Sequence, residues 1–346
     1  MESFPTFVRV DSITHIAIGA CMGEAFAGKK LGRKAMVWGA LAQSLPDIDF
    51  VASFWMDTPS DLLAHRGFTH SFLFLVLIVP LMALSAEKWH RPHNISFQKW
   101  LAFFAAAVFV HLFLDVFNNY GIGWLEPFSH KRFSLNAVYV ADPFFSLWPG
   151  LATIALIVHR KKDKLRTFYW RFGLGMAAVY LGLCVVNKIR IDKQVNTAFQ
   201  LQNIPHQQYF TTPAPLQNWL WFVVSGDEKG FYTGFRSLLD DDLKIQFEYV
   251  PRNQQLLDSI KDHEEVLKLI RFSQGFYTVE KWKDTLVFND LRFGQIIGWV
   301  DPCNRFVFHY YLSHPNDNKM VVQRGRFDKW DLNIAFALLR RMRGEN

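Results

Sequence analysis

Apolar and polar positions divide the chain unevenly. Long apolar runs fill residues 1–187, whereas residues 188–346 mix apolar, aromatic and charged positions over short stretches. A helix that crosses roughly 30 Å of hydrocarbon needs about 20 residues. Four runs suit that length: Phe68–Ala86, Trp100–Phe117, Pro143–Val158 with its flanks, and Phe172–Val186. Two earlier runs are weaker. Ile13–Ala27 is rich in small residues, and its Gly19 and Gly23 stand four apart, a spacing that lets helices approach closely. Ala35–Leu45 is short and stopped by Pro46. These two read either as further spans or as helices packed within the bundle.

Beyond residue 187 the period shortens. Strands are predicted at Trp219–Ser225, Phe231–Ser237, Lys244–Val250, Phe276–Val279, Thr285–Asn289, Gln295–Val300 and Arg305–Leu312, separated by glycines and by Asp301-Pro302. Amphipathic helices are predicted at Gln254–Phe272 and Lys329–Arg343. The expected fold is an α-helical polytopic membrane bundle over residues 1–187, with four clear and two short hydrophobic helices. A soluble α+β domain follows over 188–346. That second part shows no ligand cluster, phosphate loop or triad signature.

Composition agrees with this division. Half of the 346 residues are hydrophobic and 34 are Phe, high for a soluble enzyme and low for a protein embedded throughout. The formal net charge is +7. Its placement in short loops points to membrane orientation rather than to nucleic acid. Loops 29–34, 88–99 and 160–171 hold thirteen Lys and Arg; residues 1–12, 47–67 and 118–142 hold four. The first set is therefore expected on the cytoplasmic side, and the second set, with residues 188–346, outside. Lys188, Arg190 and Lys193 stand against that orientation. The three cysteines are far apart and form no CxxC, so neither a disulfide framework nor a thiolate zinc site is expected. The N-terminal residues lack the basic region and apolar core of a cleavable signal peptide.

Candidate chemistry lies at the ends of the apolar runs. His15, Asp47, Asp49, His65, His70, His111 and Asp115 occur in the strings DSITH, LPDID, HRGFTH and HLFLD. The expected topology brings all seven toward one membrane face. Imidazole and carboxylate are ligands of zinc, manganese and iron, and ionisable groups at membrane depth are costly enough to be functional as a rule. His111 and Asp115 stand four apart and share a helical face. Asp47 and Asp49 follow Pro46, and alternation in an extended turn would point both the same way. Each motif alone has an ordinary reading: a packed histidine, a solvated helix stop, an interfacial anchor. Joint occurrence at one face favours a metal site.

The motif order THxxxG, PDID, HRGFTHS, HLFLD and PFSHKRF, over roughly residues 11–150, resembles the YdjM-like family of bacterial inner-membrane proteins read as metal-dependent hydrolases. The resemblance implies that the seven residues are metal-site positions and that Asp142, in ADPFF, occupies a further family position. It also implies a multi-pass protein of the bacterial cytoplasmic membrane. By analogy it points to zinc-dependent phospholipase C enzymes, all-helical proteins with several metals in a His/Asp cluster. On that footing two or three divalent ions are expected, zinc first, with manganese or iron as alternatives. Asp49 or Asp115 would bridge metals or orient water. Arg66 would pair with a phosphate oxygen, unless it anchors a headgroup. The substrate would be a phosphoester in a lipid or amphiphile. Two other classes stay open: an ion-coupled transporter, and a non-catalytic membrane protein with a structural metal.

Overall fold

The computed structural model describes residues 6–159, 164–260, 263–314, 318, 327 and 329–345, and for residues 6–11 and 92 the backbone only. The chain divides into two compact units: residues Met1–Met56 with Ala64–Leu183, and Asp57–Leu63 with Cys184–Asn346.

The first unit is helical. Helix α1 (Thr6–Leu31) turns at Gly32, which has φ 59°, into α2 (Arg33–Ser44). The two pack through glycine. A Cβ built on Gly19 would collide with the backbone carbonyl of Gly39, and one built on Gly39 with that of Gly19, so no larger residue fits either position. Pro46 ends α2 and opens a 3-10 segment, Pro46–Phe54. A short helix α3 (Thr58–Ala64), nearly all of it assigned to the second unit, intervenes, and a single 3-10 turn, Phe68–His70, leads to α4 (Phe72–Trp89). Ser71 caps α4 by accepting the Phe74 amide at 3.1 Å. Helix α5 (Phe97–Asp115) packs against α4 around Trp100, Phe104, Ala83 and Ala86. Helix α6 (Pro143–Val158) is capped by Asp142, and α7 runs from Lys164 to Gln202.

Among the described residues, three helices are long and apolar enough to cross a membrane: α4, α5 and α7. The pattern predicts four clear spans, so the count differs. Helix α6 is apolar but has 16 residues, about 24 Å at 1.5 Å per residue, short of the hydrocarbon thickness. The apolar run Phe172–Val186 is the middle of the 39-residue α7.

The second unit carries two antiparallel sheets. The first has strand order β1-β2-β3-β4: β1 Gln208–Pro213, β2 Leu220–Gly226, β3 Gly230–Ser237 and β4 Phe247–Pro251. The second has order β5-β6-β7: Tyr277–Trp282, Thr285–Gln295 and Phe306–Tyr311. Phe210, Phe222, Val224 and Phe231 from the first meet Leu291 and Phe306 from the second in one core. The predicted strand Gln295–Val300 is instead a turn: Ile297 has φ 48° and its carbonyl accepts the amides of Val300 and Asp301. The predicted helix Gln254–Phe272 is broken into a 3-10 segment, Gln254–Ser259, and α8, His263–Phe272. The last helix, α9 (Leu332–Met342), starts on an Asp331 cap.

Candidate metal centre

The topology gathers helix ends. Helices α1 and α6 begin, and α2 and α5 end, where the HRGFTH turn leads into α4, and there all seven candidate ligands meet. The basic loops lie at the other ends of these helices, where Lys30 donates to the Asn94 carbonyl at 3.2 Å.

Four residues form the inner group: Asp47, His70, His111 and Asp115, each offering one ligand atom, all within 4.8 Å of one another. His70 Nε2 lies 3.1 Å from His111 Nε2, 3.2 Å from Asp115 Oδ2 and 3.6 Å from Asp47 Oδ1. His111 Nε2 lies 3.6 Å from Asp47 Oδ1 and 3.7 Å from Asp115 Oδ2. Five of the six edges of a tetrahedron therefore fall between 3.1 and 3.7 Å. A four-coordinate zinc with bonds of about 2.0–2.2 Å requires edges of roughly 3.3–3.6 Å. The donor set fits such an ion.

Supporting hydrogen bonds set which nitrogens face inward. His111 Nδ1 donates to the Gln43 carbonyl at 2.6 Å, which leaves the lone pair on Nε2. Gln43 Nε2 donates to the Ala107 carbonyl at 2.7 Å, so its Oε1 is turned toward His15 Nδ1, 3.2 Å away. His15 Nε2 then points at Asp115 Oδ1, 3.1 Å distant. One fully buried residue thus orients two imidazoles, His111 through its backbone carbonyl and His15 through its side-chain amide. Such outer partners fix tautomer and ring direction at metal sites. Gln43 was not among the candidates. Its signal in the sequence is a lone long polar residue in the otherwise small and apolar second half of α2.

Asp47 and Asp49 do not sit in an extended turn. They lie in the 3-10 segment, where three residues make a turn and i, i+2 positions diverge. They accordingly bracket His70. Asp47 approaches Nε2, while Asp49 Oδ2 lies 3.5 Å from Nδ1 and 3.3 Å from His65 Nδ1. Asp49 also accepts the Arg66 amide at 2.7 Å. Arg66 has φ 56°, a left-handed conformation uncommon outside glycine. That conformation makes the HRG turn, and its carbonyl accepts the Gly123 amide at 2.9 Å. The Arg66 side chain is 3% exposed, with Nε 3.2 Å from Asp115 Oδ2 and its guanidinium 5.2 Å from the Tyr120 ring. It is a buried countercharge, not a headgroup anchor.

Charge and satisfaction are incomplete in this group. The group gathers three carboxylates and one guanidinium, which pairs with Asp115, a formal −2 with neutral imidazoles. Asp49 Oδ1 and Asp115 Oδ2 are buried and, among the described residues, accept no hydrogen bond. Burial alone would push the Asp47 and Asp49 carboxyls up, but the imidazoles outweigh it and hold both below the ordinary range: His111, His70 and His15 at Asp47, and His65 and His70 at Asp49. Burial alone would pull His70 down, yet Asp115, Asp47 and Asp49 raise it to about 9. The side chains of Asp47 and His65 are 20% and 27% exposed, so the group opens to solvent on their side.

Asp142 lies outside this group. Its Oδ1 caps α6 and its Oδ2 accepts the Tyr180 hydroxyl at 2.7 Å. It lines a small cavity with Thr14, His15, Asp115, Asn118 and Ser146.

Comparison with known proteins adds one family. A family model described as YdjM inner membrane protein matches residues 10–191. The inner membrane protein YbcI of Escherichia coli (strain K12) is 31% identical over 123 residues, 35% of this chain and 69% of its own. The uncharacterized protein YfhP of Bacillus subtilis (strain 168) is 24% identical over 305 residues, 82% of this chain and 87% of its own. No solved structure matches.

Proposed function

The chain belongs to the YdjM inner membrane protein family, and from that premise we propose that it is a membrane-bound, metal-dependent hydrolase of phosphoester bonds in a lipid or amphiphilic substrate. Family and apolar helices together support an inner-membrane location. The observation that carries the reading is the near-tetrahedral set of Asp47, His70, His111 and Asp115 atoms, open to solvent beside Asp47. These four would hold one divalent ion, zinc first. His15 on one side, and Asp49 with His65 on the other, would complete flanking positions for a second or third. A divalent ion there would lower the pKa of bound water and polarise a phosphoryl oxygen. Asp49 holds His70 from behind and accepts a hydrogen bond from the Arg66 amide. Arg66 balances Asp115 and offers positive charge beside the site, where phosphate would arrive. His65 is the imidazole nearest solvent and can move protons at the open edge.

A second reading has its own support. Four protein ligands can close a structural zinc site by themselves, in which case the ion is a staple and the chain is not an enzyme. Hydrolysis separates the two. Detergent-purified protein is stripped of metal, reloaded with zinc or manganese, and assayed on bis(p-nitrophenyl) phosphate and on phospholipid vesicles. Metal-dependent turnover that is lost in His65→Ala supports the hydrolase. Stoichiometric metal without turnover on either substrate supports the staple.

The basic loops favour an outer-facing site and second unit. Cysteine labelling tests this orientation. Ser129→Cys is expected to react from outside intact cells, and Ser96→Cys only after permeabilisation; the reverse pattern overturns it.

A further inference from the structure

The 3-10 segment that supplies Asp47 and Asp49 has a second side. Ile48, Phe50, Phe54, Trp55 and Met56 are all exposed, with Phe54 and Trp55 at 70% and 69%. Residues 50–56 read FVASFWM, without a charged side chain. A contiguous apolar surface of this kind is costly in water and marks a contact site. It also continues an apolar exterior already assigned to lipid. The adjoining 3-10 turn exposes Phe68, and α4 follows with Phe72, Val76 and Leu77 exposed. Trp is enriched where headgroups meet acyl chains, and Trp with Phe lines the apolar face of segments that lie in that interface.

We propose that residues 48–56 form a membrane-interface strip, inserted into the headgroup region of the lipid bilayer, which seats the ligand cluster at the lipid surface. The ten residues 47–56 then turn two carboxylates inward and five apolar side chains toward lipid. An amphiphile in that leaflet would reach the open Asp47 edge sideways, without leaving the bilayer. The strip rests on the membrane placement of the family and the helices, not on the hydrolase reading.

Spin labelling measures it without turnover. In a Cys303→Ser background, nitroxides are attached at Phe54→Cys, at Val76→Cys on the exposed face of α4, and at Glu264→Cys, whose side chain is 79% exposed in the second unit. The protein is reconstituted in phosphatidylethanolamine and phosphatidylglycerol vesicles, and collision with oxygen is compared with collision with a water-soluble nickel chelate. The expected oxygen-to-nickel ratio at Phe54 lies several-fold above that at Glu264 and below that at Val76. A ratio equal to that at Glu264 overturns the strip, as does a label shielded from both reagents, which would mean protein contact. Ile48→Cys, on the same side, repeats the reading should Phe54→Cys fail to fold.

Discussion

The two ends of the helical unit bury charge in opposite ways. At the basic-loop end, Arg166 meets Glu24 with Nε to Oε1 at 2.8 Å and Nη2 to Oε2 at 2.6 Å, and its Nη1 donates to the carbonyls of Leu156 and His159. One charge meets one charge, in a bidentate pair with its remaining donors engaged. At the other end three carboxylates gather with one guanidinium, which pairs with Asp115, two imidazole Nε2 atoms stand 3.1 Å apart, and two buried carboxylate oxygens accept no hydrogen bond among the described residues. A protein that builds a complete pair in one place has no packing reason to leave an incomplete set in another. Buried polar groups left short of partners call for an explanation, and a bound cation supplies one.

Mutation can break this contrast. The largest expected effect is at the incomplete end. His70→Ala or Asp115→Ala should remove bound metal and any hydrolytic activity altogether, measured by elemental analysis and turnover; full activity in both removes the assigned site. Next comes the complete end. Arg166→Met strands Glu24 and should cost about 3–5 kcal/mol, read as earlier unfolding in detergent, while metal per folded chain stays unchanged. Loss of metal there would show that the ends are not independent. Gln43→Ala removes the amide that orients His15 and keeps the carbonyl that orients His111, with metal affinity expected to fall about 10-fold, the low end for an outer partner, and α2 to stay folded. An unchanged affinity would demote Gln43 to packing.

The smallest and broadest effect is on pH. His70 is raised from 6.5 to about 9, so its contribution to the metal-free protein is complete below about pH 6.5 and lost as pH rises through 9. The Asp49 carboxyl is lowered, so its contribution is present above the ordinary carboxylate range and lost as pH falls through its folded pKa. The unfolding temperature of metal-free protein should fall between about pH 6.5 and 9. Metal-loaded protein, with the proton replaced, should not; parallel profiles would argue that the cluster binds nothing.

What was legible in the sequence follows from range. His111 and Asp115 stand on one helical face whatever the tertiary structure, and the two side chains do approach at 3.7 Å. Apolar runs locate α4 and α5 because hydrocarbon imposes a length. Asp47 and Asp49 were legible as a pair but not in geometry, since Pro46 opens a 3-10 segment in which they take opposite nitrogens of His70. Arg66 carried no signal of its left-handed φ, which depends on Asp49 and Gly123 holding its amide and carbonyl. Gln43 matters only because α1, α2 and α5 converge, and no local pattern announces convergence. The strand predicted at Gln295–Val300 failed for a related reason: apolar residues there face the core from a turn, and alternation cannot tell the two apart.

The most direct measurement is elemental analysis of the protein purified in detergent without added metal, beside the Asp115→Ala and Arg166→Met variants. The expected result is at least one transition-metal ion per chain, zinc first, retained in Arg166→Met and lost in Asp115→Ala. Folded wild-type protein that carries no transition metal, and takes up none on titration, would contradict a metal centre at this end of the bundle.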